Sequence, residues 1–126
     1  MEGVTECRDA ITVDFKGNGN RSFLRRYAAV PDPEPIFSSL KELRRKGIHV
    51  EITDLVVPEI GDSLDDARRL SRWILENLGD DTPIHFLRFH PDYKLLWLPE
   101  TPLSTLEAHY RVAKEEGLKF VYLGNV

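Results

Sequence analysis

Several polar side chains of this sequence lie at the ends of segments with the composition of buried strands. They are Asp14, Lys16, Glu59, Asp62, His90 and Asp92. A lysine ammonium suits a carboxylate, an aspartate suits an ammonium group, and histidine exchanges protons near neutral pH. In parallel α/β folds, ligands bind at the carboxyl ends of the strands. The pattern therefore predicts a ligand site at one edge of a sheet.

Alternating strands and helices must position these residues. Alternating or continuous apolar patterns predict strands over residues 9–16, 48–57, 83–90 and 119–123. Helical spacing predicts helices over residues 21–29, 36–47, 63–79 and 102–117. This alternation implies a parallel sheet with right-handed crossovers. Four such strands form either a small open sheet or half of an eight-stranded βα barrel.

Composition limits the classes of function. A chain of 126 residues with 41% apolar residues predicts one domain with a real core. The net charge of −4 and the mixing of basic with acidic residues favour solvated helix faces over a nucleic-acid surface. No apolar run approaches the roughly 20 residues of a membrane span. The charged N-terminus and the single cysteine, Cys7, favour a cytoplasmic protein without internal disulfides.

Four strings of residues occur in order along nearly the whole chain. They are VDFKG at 13–17, LVVP at 55–58 with Asp62 just after, RFHPDYK at 88–94 and VYLGNV at 121–126. Together they resemble the C-terminal half of radical S-adenosylmethionine (SAM) enzymes. The resemblance is to the pyruvate formate-lyase activating enzyme-like group, which includes the AmmeMemoRadiSam-system relatives. It implies an α/β fold: half of a βα barrel, formed by residues 1–126, with four mainly parallel strands and helices on the outer face.

The resemblance also implies roles for four residues in binding SAM. Asp14 and Lys16 match a strand-end pair near the amino acid part of SAM. His90 matches a histidine near the SAM nucleoside and the substrate, and Asn125 resembles an adenosine-contacting position. The structural alternatives are an exposed pair beside a glycine-rich turn and a histidine that braces a loop.

Three further residues are candidates for substrate contact. Asp92 and Tyr93 continue the loop after His90, where packing of the loop is the alternative role. Asp54 lies inside a predicted strand, and we expect it to contribute to a polar barrel lumen, where it needs a hydrogen-bond partner. The remaining histidines are expected to be structural: His49, His85 and His109.

The chain departs from the family at the cluster. Family members hold a [4Fe–4S] cluster with three cysteines in a CxxxCxxC loop, whereas this chain has Cys7 alone. We therefore expect no cluster, no metal site and no radical generation by this chain alone, and we assign no catalytic residue. The resemblance implies a cluster-bearing half, either on another polypeptide or lost from this sequence, or a protein substrate, as a partner.

Two other functions stay open. A half-barrel leaves sheet edges that can pair with another chain, so a homo-oligomer or a non-catalytic binding module is the second hypothesis. The third is a small open-sheet enzyme that uses the loop after His90 for acid–base chemistry. That function requires a partner for His90 within hydrogen-bond reach.

Overall fold

The computed structural model describes residues 10–27, 32–91 and 97–126. Strands and helices alternate along these ranges. The strands are β1 (Ala10–Lys16), β2 (His49–Val56), β3 (Ile84–Arg88) and β4 (Val121–Gly124). The helices are α1 (Arg21–Tyr27), α2 (Glu34–Arg45), α3 (Leu64–Asn77) and α4 (Leu103–Glu116). A short turn, Gly17–Gly19, joins β1 to α1.

The four strands form one parallel sheet in the order β1-β2-β3-β4. This confirms the predicted α/β class and the parallel sheet. β1 ends at Lys16, as predicted, whereas β2 and β3 end one and two residues before their predicted ends. Side chains and turns take over the backbone hydrogen bonds there. Val57 bonds with Gly61 in a turn beyond β2, and the N–H of Phe89 donates to Thr101 Oγ1 over 2.9 Å beyond β3.

One face of the sheet carries the main core. The strand residues Phe15, Ile52 and Phe86 share this face with residues of three helices. The helices contribute Leu40 from α2, Leu70, Ile74 and Leu78 from α3 and its end, and Leu106 and Ala113 from α4. The three- and four-residue spacing along α3 places its apolar stripe on the sheet. None of the helices in the described ranges is long and apolar enough to cross a membrane.

The opposite face, called the open face below, has no long helix packed on it in the described ranges. It carries Asp14, Lys16, Glu51, Thr53, Leu55, His85, Leu87 and Tyr122, all half-buried or exposed. A doubly wound sheet has helices on both faces. Sequential strand order with the long helices on one face is instead the arrangement of half a βα barrel, whose open face would line the lumen.

A candidate ligand site at the carboxyl edge of the sheet

The first part of the site is a pair of opposite charges at the end of β1. Asp14 and Lys16 are both exposed on the open face, as their two-residue spacing predicts. The Thr53 hydroxyl on the neighbouring strand donates to Asp14 Oδ1 and orients the carboxylate. Lys16 makes no ion pair with any residue in the described ranges, so its ammonium is available to an anionic group.

The turn after Lys16 has a backbone that only small residues tolerate. Gly17, Asn18 and Gly19 all have positive φ, between 60° and 73°. A Cβ added to Gly17 would lie 2.4 Å from the ring of Phe23, so glycine is required there for space as well as for φ. Asparagine is among the few other residues that adopt this conformation readily. The turn therefore holds the end of β1 close against α1.

The second part of the site surrounds His90, beyond the end of β3. His90 Nδ1 lies 2.5 Å from Glu100 Oε2, and its Nε2 lies 3.2 Å from the Asn125 carbonyl oxygen. The side chain of Asn125 donates to the Arg88 carbonyl over 3.5 Å. The structure thus brings together two residues of the predicted SAM site, His90 and Asn125. It also gives His90 the acidic partner that acid–base chemistry requires.

Sequence reasoning missed Glu100. Its carboxylate bridges His90 and Arg88, whose Nε lies 3.5 Å from Glu100 Oε1. Glu100 is ten residues beyond His90, and it returns to β3 because Thr101 binds the backbone there. No local motif signals such a contact, because it depends on the return of Thr101 to Phe89 at the end of β3.

Thr101 fixes the end of that loop. Its buried hydroxyl donates to the Val56 carbonyl over 2.7 Å and accepts from the Phe89 N–H over 2.9 Å. We expect Thr101→Val, which keeps the shape, to lower the free energy of unfolding by about 2 kcal/mol, because two buried backbone groups lose their partner. Urea unfolding measures this loss. The matched control is Thr105→Val, a half-buried residue of α4, for which a loss as large would contradict the assignment.

Asp54 does not lie in a lumen, so that prediction is wrong. Side chains alternate along β2, and Asp54 shares the helix-covered face with Phe15 and Phe86, its register partners. Thr53 takes the open-face position instead. Asp54 is fully buried, and its Oδ1 accepts the Asn18 N–H over 2.9 Å. Burial raises the pKa of its carboxyl to about 8, against the opposing effect of the Asn18 hydrogen bond.

A second polar cluster on the open face was not predicted. Glu51 on β2 lies 2.8 Å from His85 Nε2 and 3.2 Å from His49 Nε2. The hydrogen bond with His85 has the largest effect and, together with the contact to His49, holds the pKa of the Glu51 carboxyl below its usual value. Partial burial of Glu51 acts in the opposite direction. His85 stacks on Tyr122 with ring centroids 5.0 Å apart. The histidines at 49 and 85 are therefore polar residues of the open face, not residues of the core.

The two parts of the candidate site are separated by one strand. Lys16 shares its register row with Leu55, Leu87 and Gly124. Because neighbouring strands lie about 4.8 Å apart, β1 and β3 are separated by roughly 10 Å, with the two leucines between them. Asp92 and Tyr93 lie outside the described residues.

The donor set does not fit an iron–sulfur cluster. The sequence has one cysteine, and cluster ligation requires several thiolates. In the ranges that the structure describes, no three His, Cys, Asp or Glu residues are placed to hold a metal ion.

Comparison with known proteins gives one relative and no activity. No family model matches the sequence. The chain is 44% identical over 118 residues to the uncharacterized protein MJ0808 of Methanocaldococcus jannaschii. The match covers 94% of this chain but 34% of that protein. The chain therefore spans about a third of the length of its relative.

Proposed function

We propose that this chain is one wall of a larger βα barrel and contributes part of a site for SAM and a substrate. The polar open face supports this proposal, because all three long helices pack on the other side. A face lined with carboxylates, imidazoles and hydroxyls suits a polar ligand enclosed by a second wall. The longer relative provides room for such a wall within one polypeptide.

The observation that carries the proposal is the charge pair at the end of β1. An amino acid group presents an ammonium and a carboxylate on adjacent atoms. Asp14 and Lys16 offer the complementary charges on one face, two residues apart. The hydrogen bond from Thr53 holds the Asp14 carboxylate in place for this contact.

The rest of the ligand lies across the sheet towards β3. Leu55 and Leu87 give this path an apolar floor, which suits the nucleoside and the carbon chain. At its far end, His90 and Asn125 offer polar groups beside Glu100. The resemblance of the RFHPDYK and VYLGNV strings to radical SAM enzymes selects SAM among ligands of this shape.

Cleavage of SAM requires chemistry that this chain does not contain. With Cys7 alone, reductive cleavage is assigned to a cluster-bearing half that completes the barrel. The residues of this chain bind and orient: Lys16 holds the carboxylate and Asp14 the ammonium.

Calorimetric titration of the 126-residue chain with SAM tests the proposal. We expect Lys16→Ala to weaken binding by roughly 10- to 100-fold, because it removes a charge-assisted hydrogen bond of about 1.5–3 kcal/mol. His90→Ala should weaken binding by a smaller factor, because a hydrogen bond to the uncharged nucleoside contributes about 0.5–1.5 kcal/mol. Lys41→Ala, an exposed lysine on α2, is the matched control and should leave the affinity unchanged. The absence of heat at millimolar SAM, or equal effects of Lys16→Ala and Lys41→Ala, would overturn the proposal.

A second candidate, self-association through the edge of the sheet, is favoured by apolar side chains in and beside β4. Phe120, Tyr122 and Val126 are 44%, 48% and 68% exposed. Exposed apolar residues beside an open strand edge suit pairing with another chain. Light scattering distinguishes the two candidates: a dimer that Tyr122→Ser dissociates supports self-association, and a monomer at high concentration argues against it.

A further inference from the structure

A buried chain of polar groups joins the turn after β1 to β2 and α4. The Asn18 N–H donates to Asp54 Oδ1 over 2.9 Å, and Asn18 Nδ2 donates to the Ser63 carbonyl over 2.8 Å. The same Nδ2 lies 3.0 Å from His109 Nε2, and His109 Nδ1 lies 2.8 Å from the Thr105 carbonyl. Asn18, Asp54 and His109 are at most 3% exposed.

The acceptors in this chain determine where the protons lie on His109. The Thr105 carbonyl can only accept, so Nδ1 carries hydrogen and Nε2 accepts from Asn18. A second proton, on Nε2, would place the N–H of His109 directly opposite the N–H of the Asn18 amide, so that two donors would face each other. Burial also lowers the pKa of this imidazole. His109 is therefore neutral and cannot compensate a negative charge nearby.

Two acceptors of the same chain have no hydrogen-bond partner within the described residues: Asn18 Oδ1 and Asp54 Oδ2. The Asn18 amide cannot be turned round, because its Nδ2 serves the Ser63 carbonyl. A buried carboxylate with one hydrogen bond and no cation is among the costliest arrangements in a protein interior. A proton on Asp54 removes this buried charge.

We propose that Asp54 is a neutral carboxylic acid in the folded protein and that its proton acts as a latch. By removing the buried charge, the proton keeps Asp54 of β2 against the turn Gly17–Gly19, whose Asn18 side chain contacts Ser63 before α3 and His109 of α4. This proposal rests on the buried network alone. Its consequence for ligand binding rests on the proposed function, because Lys16 directly precedes the turn.

The strands around Asp54 offer no compensating cation. Its register partners on β1 and β3 are Phe15 and Phe86. Arg88 follows on the same face of β3, but its Nε donates to the Thr101 carbonyl over 2.7 Å. In the described ranges, no lysine or arginine forms an ion pair with Asp54.

The helices do not compensate the charge either. The titratable residue of α4 that belongs to the buried network is His109, which is neutral. The loop before α3 and its first turn carry carboxylates, at Asp62, Asp65 and Asp66, and no lysine or arginine. The buried residue of α2 is Leu40.

The sign of the pH dependence follows from the raised pKa. An aspartate in the unfolded chain titrates near 3.8, whereas burial raises the pKa of folded Asp54 to about 8. The folded chain binds the additional proton between these values. The stabilisation is therefore complete below pH 4 and is lost as the pH rises to about 8.

Urea unfolding of the wild type and Asp54→Asn from pH 4 to 9 tests the latch. Asparagine keeps an acceptor for the Asn18 N–H and replaces the proton by an amide donor. The contributions of all other titrating groups to the pH dependence are the same in the two proteins and cancel in the comparison. Relative to Asp54→Asn, we expect the unfolding equilibrium constant of the wild type to rise about tenfold per pH unit between pH 5 and 7. Hydrogen exchange at Asn18 and Gly19, expressed relative to the intrinsic exchange rate at each pH, should accelerate above pH 8 in the wild type and not in Asp54→Asn.

Carbon-13 NMR of the Asp54 carboxyl in the wild type gives a reading that does not depend on any variant folding. A midpoint near pH 4, or an equal pH dependence of the two proteins, would overturn the latch. If the Asp54 carboxyl titrates with a midpoint well above pH 5 and the SAM affinity is the same below and above that pH, the latch is supported and its coupling to the ligand site is refuted. Complete loss of SAM binding at every pH would count against the proposed function and not against the latch.

Discussion

Replacing Phe86 by alanine is expected to lower the free energy of unfolding by about 4 kcal/mol, a large fraction of the stability of a domain this size. Phe86 is fully buried in the central strand β3, between Asp54 on β2 and Leu123 on β4. Its ring meets His109 of α4 edge-on, with centroids 5.3 Å apart. Truncation removes this contact and leaves a cavity between the sheet and α4 that the surrounding elements cannot close.

Urea unfolding measures the effect, and Phe120→Ala is the matched control. Phe120 directly precedes β4 but is 44% exposed, so its removal is expected to cost about 1 kcal/mol or less. Similar losses in the two variants would contradict the assignment of Phe86 to the centre of the core. A smaller loss in Phe86→Ala when Asp54 is also replaced by asparagine would show that the two neighbours are coupled.

The sheet could be predicted because its pattern is local. Alternation in β1 and apolar content in β2 identify strands, and the helices between them dictate a parallel arrangement. The shared face of Asp14 and Lys16 follows from their spacing alone. The ends of β2 and β3 could not be predicted, because they depend on partners such as Thr101, which is distant in sequence from Val56.

Asp54 shows what alternation leaves open. Thr53 and Asp54 are adjacent polar residues, and a period of two does not tell which one faces the core. An aspartate between two phenylalanines in the core contradicts the usual exclusion of charge from interiors. The buried network that accommodates it requires Asn18 and His109, which lie 36 and 91 residues away from their partners. Such contacts become visible only when the turn, β2 and α4 are assembled.

The cluster around Glu51 depends on register. Glu51 reaches His85 diagonally, because the register partner of His85 is Thr53. Sequence alone indicates that residues 49, 51 and 53 share one face of β2. It does not indicate which residue of β3 pairs with each of them. A shift of one residue in register would have placed Ile84 or Phe86 there instead of His85.

Gly61→Ala is expected to lower the free energy of unfolding by about 3 kcal/mol, because the added methyl group meets backbone. Its Cβ would lie 2.7 Å from the Gly17 Cα and 3.0 Å from the Phe23 ring. Gly61 also exchanges two hydrogen bonds with Val57, of 2.8 and 3.2 Å, so it cannot move away without breaking them. The turn that carries Asn18 must shift instead.

Gly47→Ala separates this steric effect from the general cost of replacing a glycine. Gly47 has φ +79° but nothing within 4 Å of an added Cβ, so only the strain of about 1 kcal/mol is expected. Urea unfolding compares the two variants. If Gly61→Ala loses no more free energy of unfolding than Gly47→Ala, the loop after β2 can move to accommodate the added methyl group, and the steric prediction is wrong.

The same pair of variants tests how tightly the loop is coupled to the ligand site. Gly61 touches the turn that directly follows Lys16, whereas Gly47 lies between α2 and β2. At a temperature where both variants remain folded, Gly61→Ala should therefore weaken SAM binding and Gly47→Ala should not. Because the shifted turn also carries Asn18, Gly61→Ala should expose the Asp54 carboxyl and bring its pKa down towards the ordinary value. Carboxyl NMR of the two variants reads this change directly, without reference to SAM.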